Sequence, residues 1–158
     1  MPEISMLDAH DRALLSLLQK DALLTADQLS GEVALSPSAI ARRVRRLRDP
    51  EIVVSDHAVV TDKIGPFLTA MVEVQLAHHG IAQLEPLFQK LMAMEEVQVI
   101  MDVAGSVDLV LIVAVRDLDA FNSFADETLA RDPLVRRYET RLIMRRRKFT
   151  NAWPIELN

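Results

Sequence analysis

Arg42, Arg43, Arg45, Arg46 and Arg48 crowd into one segment, Leu35 to Arg48, that contains no acidic residue. Guanidinium groups at that density bind phosphate oxygens well, and one that reaches a base edge can pair two-pronged with guanine. At about 100° per residue, Ile40, Val44 and Leu47 fall on one side of a helix. Ser38, Arg42, Arg45 and Arg46 point roughly the opposite way, and Arg43 and Arg48 flank the apolar stripe. Ser36 stands where an N-cap belongs, and Pro37 follows at the first helical position, where its missing N–H leaves nothing unpaired. An ordinary solvated face has the same charge pattern, so the surrounding elements must decide.

Upstream, Asp8 is a candidate N-cap preceded by apolar Leu7, and Leu14, Leu15, Leu17 and Leu18 supply the buried side of a first helix ending near Asp21. Thr25 caps a second, short helix from Ala26 to Ala34. Ala34-Leu35-Ser36 leaves room only for a tight turn, so the arginine helix is the third of a helix-turn-helix, the position that enters a DNA groove. Its first residues, Ser36, Ser38, Ala39, Arg42 and Arg43, are candidates for base edges or adjacent phosphates; Arg45, Arg46 and Arg48 are candidates for phosphates. Double-stranded DNA is the expected partner. Past Asp49-Pro50, the apolar pieces Ile52–Val54 and Ala58–Val60 fit two small strands of a wing. The polar stretch Thr61–Pro66 ends in Gly-Pro and reads as a linker.

Beyond the linker, strand-like runs at 67–77, 97–103, 107–115 and 135–148 alternate with helix-like runs at 81–94, which contains Pro86, and 118–129. The order βαββαβ predicts a ferredoxin-like unit. The expected fold class is α+β: an N-terminal three-helix winged helix-turn-helix (1–60), the linker 61–66, and a ferredoxin-like βαββαβ sandwich (67–158). Helices cover one face of such a sheet, and the other face is available for association with another chain. Between two strands, Gly105 to Asp108 reads as a turn in which glycine supplies positive φ and Asp108 bonds backbone amides. The same four residues also read as a loop whose exposed N–H groups suit a carboxylate. The basic run Arg145 to Lys148 reads foremost as a strand end with its arginines paired to acids, and secondarily as a track for wrapped DNA.

The formal net charge is −5, yet the sign is segregated. Positions 131–148 hold eight basic residues against two acidic ones, and local charge decides what a surface binds. The absence of cysteine excludes disulfides, thiolate metal sites and cysteine nucleophiles. His10, His57, His78 and His79 are scattered, and the adjacent pair would point to opposite faces of a strand with no third ligand in sight, so neither a metal nor a cofactor is expected. No glycine-rich phosphate loop or serine-centred elbow is present, so no catalytic residue is assigned. Met1–Ser5 shows neither a basic stretch nor an apolar core, and charges interrupt each apolar run. A cytoplasmic protein without a membrane span is expected.

The ordered set Leu7-Asp8-Ala9-His10-Asp11-Arg12-Ala13-Leu14-Leu15, Leu35-Ser36-Pro37-Ser38, Arg42-Arg43-Val44-Arg45-Arg46-Leu47 and Gly105-Ser106-Val107-Asp108-Leu109 resembles the Lrp/AsnC family of transcription regulators over nearly the whole chain. The resemblance implies an amino-acid-sensing C-terminal domain that dimerises through its sheet, with dimers assembling further, commonly to octamers. It also implies a small-molecule effector, an amino acid or related metabolite, at Gly105, Ser106, Val107 and Asp108, with Met101, Ala104 and Thr140 as neighbours. The chain departs from the family's usual glycines at Ala34 and Glu51 and from its Gly-Tyr wing pair at Ser55-Asp56. Ser106 and Val107 stand where an acidic residue and an aromatic are common. Two other readings share the architecture: a sirohaem-decarboxylase-like enzyme, and an effector-sensing partner protein that has lost DNA binding.

Overall fold

A computed structural model describes residues 7–60, 64–77 and 81–156. The chain forms two compact units, and the tail from Lys148 onward belongs with the first rather than with the sheet. The first unit is built on α1 (Ala9–Leu18), α2 (Ala26–Ser30) and α3 (Pro37–Leu47). Each helix starts on the residue the sequence points to. Asp8 and Thr25 both form capping boxes, with Asp11 and Gln28 reaching back, and Ser36 accepts from the Ala39 N–H. Leu14, Leu15, Leu29, Val33, Ile40 and Leu47 make the core, and Leu7, Val44, Ile52, Val53 and Ile155 pack around it. The helix expected at 26–34 stops at Ser30, where the Gly31 N–H turns back to the Gln28 carbonyl at 3.2 Å.

The two wing strands expected at Ile52–Val54 and Ala58–Val60 are not formed: residues 53–60 carry neither helix nor strand. The N–H groups of Ile52 and Val53 both bond the Asp49 carbonyl, at 2.8 and 2.9 Å, so the first piece is spent on a turn that ends α3. Ser55-Asp56-His57 offers no glycine for a tight hairpin, and Asp56 instead pairs with Arg48 at 3.4 Å.

The second unit contains β1 (Leu68–Leu76), α4 (Ile81–Met92), β2 (Val97–Asp102), β3 (Leu109–Val115), α5 (Leu118–Phe124) and β4 (Val135–Leu142). The sheet order is β2-β3-β1-β4, with each neighbouring pair antiparallel, the ferredoxin-like arrangement that the βαββαβ order predicts. Alternation decides the faces. Ala70, Val72, Val74 and Leu76 of β1 and Leu109, Leu111, Val113 and Val115 of β3 are buried with Leu84, Leu87 and Leu91 of α4 and Phe121 and Phe124 of α5. Pro86 is accommodated inside α4. α5 continues into a π-helical turn, Ala125–Ala130, where Lys90 donates to the Glu127 and Thr128 carbonyls at 3.2 and 3.3 Å.

β4 is shorter than the strand expected at 135–148. Among the described residues it is an edge strand paired with β1 alone, and the last ladder bond joins the Ile143 N–H to the Thr69 carbonyl at 2.8 Å, where β1 begins. Arg145 to Lys148 lie past the end of that ladder and do not alternate along a strand. The chain returns instead to the first unit, where Gln19 accepts from the Trp153 N–H at 2.6 Å and donates to its carbonyl at 3.2 Å. Among the described residues no helix is long and apolar enough to cross a membrane.

Ile155→Asp puts a charge against the helical core, so amide exchange at Trp153 and Ile155 should accelerate at least tenfold while the β1–β3 amides keep wild-type protection; equal rates in both proteins would contradict the packing. The Asp8 carboxyl lies below its usual value because the Asp11 N–H and then the Arg43 guanidinium bond its charged form. Its stabilising contribution is therefore present above about pH 4 and is lost as pH falls through the lowered value. Asp8→Asn should flatten the acid limb of a urea-melt stability profile, and an unchanged limb would contradict that cause.

Candidate nucleic-acid interface and effector site

α3 carries the arginine set, and its surroundings divide that set in two. Ile40 and Leu47 are fully buried and Val44 is half-buried, so the helix docks by the stripe the sequence predicts. Ser36, Ser38, Arg42 and Arg45 are exposed, and Ala39 is partly so. Ser36 and Ser38 share a hydroxyl contact of 3.2 Å at the helix start. Among the described residues Arg42 and Arg45 make no hydrogen bond or ion pair, and with the exposed Ser38 they form a polar ridge at spacings of four and three.

Arg43, Arg46 and Arg48 are engaged inside the unit. Arg43 donates through Nη1 to Asp8 Oδ2 at 2.7 Å and Asp11 Oδ1 at 2.8 Å. Arg46 donates through Nη2 to the other Asp11 oxygen. Arg48 donates to the Ala22 carbonyl at 3.1 Å besides pairing with Asp56. The bonds from Asp11 and Asp8 push the Arg43 guanidinium further up from its already high value, so it remains charged. Asp11 is the residue that sequence reasoning missed. Its spacing of three from Asp8 signals a capping box, but nothing local signals contact with residues more than thirty positions away.

In the second unit the Gly105 turn is pinned to β1. Gly105 has φ +150°, a conformation that only glycine adopts easily, and a Cβ there would meet no atom within 4 Å, so backbone shape alone demands it. The Asp108 N–H donates to the Val74 carbonyl at 2.9 Å, and Asp108 Oδ2 accepts from the Leu76 N–H at 2.7 Å. Gln75 Nε2 donates to the Ser106 carbonyl at 2.8 Å. Asp108 thus bonds backbone amides, as the turn reading expects.

Beside this turn lies a cavity of about 160 Å³ lined by Ser106, Val107, Glu73, Gln75, Arg137, Tyr138, Glu139 and Arg141. Arg141 pairs with Glu73, and Arg137 with Glu139 at 2.6 Å, giving both signs of charge on one wall. The Glu73 hydrogen bond holds Arg141 above its usual value. Of the residues expected around an effector, Ser106 and Val107 reach this cavity. Met101 sits opposite Val110 on the sheet face away from the helices, Ala104 is exposed in the turn, and Thr140 sits opposite Val72, on the helix-covered side of the edge strand. Thr140 therefore does not share a face with Arg141, because neighbours along a strand point oppositely. Arg137, Glu139 and Arg141 are legible as an alternating set on β4, whereas Glu73 needs the β1–β4 register. His78 and His79 lie outside the described residues, and no group of three or more metal-ligating side chains occurs among the described ones.

A model of winged helix-turn-helix DNA-binding domains matches residues 7–54, and a model of the Lrp/AsnC ligand binding domain matches residues 69–153. The HTH-type transcriptional regulator y4tD of Sinorhizobium fredii is 32% identical over 96% of this chain and 90% of its own. The DNA-binding transcriptional activator DecR of Escherichia coli is 31% identical over 96% of this chain and 100% of its own. Among solved structures, a transcriptional regulator of Neisseria meningitidis in complex with L-Met superposes with TM-score 0.84 at 29% identity, covering 94% of this chain and 97% of that one. These relatives are regulators and not enzymes, which sets aside the decarboxylase reading. With both of its units matched and relatives aligned from end to end, the chain belongs to the Lrp/AsnC family of DNA-binding, ligand-controlled transcriptional regulators.

Proposed function

We propose that the protein binds operator DNA through α3, with Ser36, Ser38 and Ala39 at the groove and Arg42 and Arg45 on base edges or phosphates. The observation that carries this reading is the exposed ridge of Ser38, Arg42 and Arg45 opposite the docked face of the third helix, with both arginines unpaired among the described residues. Arg43, Arg46 and Arg48 support the ridge from within the unit instead of contacting DNA directly. The protein acts in the cytoplasm as a homodimer on half-sites about one helical turn apart, with dimers assembling further, octamers included. The apolar half of the helix-free sheet face, Val99, Met101, Val110 and Ile112, supports pairing with a second copy.

The effector is an amino acid or a similar zwitterion taken at the Gly105–Asp108 turn. The adjoining cavity supports this, since Arg137 and Arg141 suit a carboxylate, Glu73 and Glu139 suit an ammonium, and about 160 Å³ is below the roughly 300–1,000 Å³ of drug-sized sites. The L-Met complex of the Neisseria relative supports the same class. Binding there favours one arrangement of the assembly over another and so alters DNA occupancy.

Gel-shift titration over a range of salt tests the first part. Arg42→Ala with Arg45→Ala should weaken binding by about 1–3 kcal/mol per base-contacting arginine and flatten the logarithmic salt slope by about 0.9 for each phosphate left without its arginine. Wild-type affinity and slope in the double variant would refute the reading. A thermal-shift screen of the amino acids tests the second part. A saturable rise in Tm is expected for a subset, following mass action, and Arg141→Gln should abolish it. A rise that survives Arg141→Gln would place the ligand elsewhere.

A further inference from the structure

We infer that Asp11 is a positioning residue for DNA reading: through Arg43 and Arg46 its buried carboxylate fixes the rotation of α3 that presents Arg42 and Arg45. This rests on the proposed DNA-binding face and adds a residue that itself touches no DNA. Asp11 is 1% exposed, and its two oxygens accept from two different arginines of α3, Oδ1 from Arg43 and Oδ2 from Arg46. The two arginines are three positions apart, on the flank between the docked stripe and the exposed ridge. The docked stripe alone is aliphatic, and apolar contact has no preferred direction. A carboxylate gripping two guanidinium groups does have one. A roll of about 20° moves a side chain at a helix radius of roughly 5–6 Å by about 2 Å, enough to break a hydrogen bond to a base.

The same geometry explains why these two arginines do not serve as phosphate ligands. The Arg46 side chain is 57% exposed and Arg43 24%, so Arg46 in particular has access to solvent and to a passing phosphate. Moving both to DNA would strand the Asp11 charge in the interior without a counter-charge, which is strongly unfavourable. Asp8 is a second anchor for Arg43 only, at the exposed end of the cluster.

The test uses the full-length protein, a duplex it selects from a random library, and a scrambled duplex of the same length and composition, with affinity followed against salt. Asp11→Asn should lower the selected-to-scrambled affinity ratio about tenfold. It should also steepen the salt slope on scrambled DNA by about 0.9 for each arginine released to a phosphate. Asp27→Asn, the same charge change at an exposed position of α2, should leave the ratio unchanged. Arg46→Gln should lower the ratio at an unchanged slope, and this variant decides the matter if Asp11→Asn does not fold. An Asp11→Asn ratio within about twofold of wild type, or an Arg46→Gln slope lower by about 0.9, would overturn the inference. If Arg42→Ala with Arg45→Ala abolishes binding while Asp11→Asn keeps the ratio, only the role of Asp11 falls. A wild type that enriches no sequence refutes the DNA-binding reading and the inference with it.

Discussion

A carboxylate taken out of water must be matched by positive charge, and in the helical unit that requirement falls on Asp11. Both of its oxygens accept from α3, Oδ2 also from the Asp8 N–H, while its backbone sits in the first turn of α1, whose N-cap Asp8 holds the Asp11 N–H at 2.8 Å. The start of one helix and the middle of another are thereby joined by directional bonds in addition to the leucine-rich core they share. A recognition helix has to present a few side chains at fixed distances from base edges, and an aliphatic interface alone does not set such distances. The arginines that look most like DNA ligands in a count of charges are thus of two kinds, those that hold the helix and those left free by the hold.

The sheet unit applies a comparable rule with backbone groups. Asp108 uses its side chain and its N–H on consecutive parts of β1, which fixes the Gly105 turn over one end of the sheet. The turn carbonyl of Ser106 is then available to Gln75, and the charged residues of β4 stand alongside. The ion pairs on the pocket wall place charges of both signs a few ångströms apart, and that pairing is what supports the zwitterion proposed there.

Much of this arrangement is readable from residue order. Ser36-Pro37, Thr25 and Asp8 mark three helix starts because N-capping is a local property, and the uninterrupted apolar run Leu109–Val115 marks a strand, although which of its faces is buried is decided by the fold. Where sequence and structure part, the cause is shared, namely partners that residue order does not reveal. Ile52–Val54 has strand-forming side chains, but the donors of Ile52 and Val53 go to Asp49. Val135–Lys148 reads whole as a strand, yet a ladder ends where its neighbour ends, and β1 begins at Leu68. The same limit applies to the arginines, since only the fold brings Asp11 beneath Arg43 and Arg46.

The most direct measurement is a nitrogen-15 NMR titration of the arginine Nε–H signals in the full-length protein with a selected duplex. Arg42 and Arg45 are expected to shift on binding, while Arg43 and Arg46 keep their free-protein positions. Shifts at Arg43 and Arg46 with none at Arg42 and Arg45 would contradict that division.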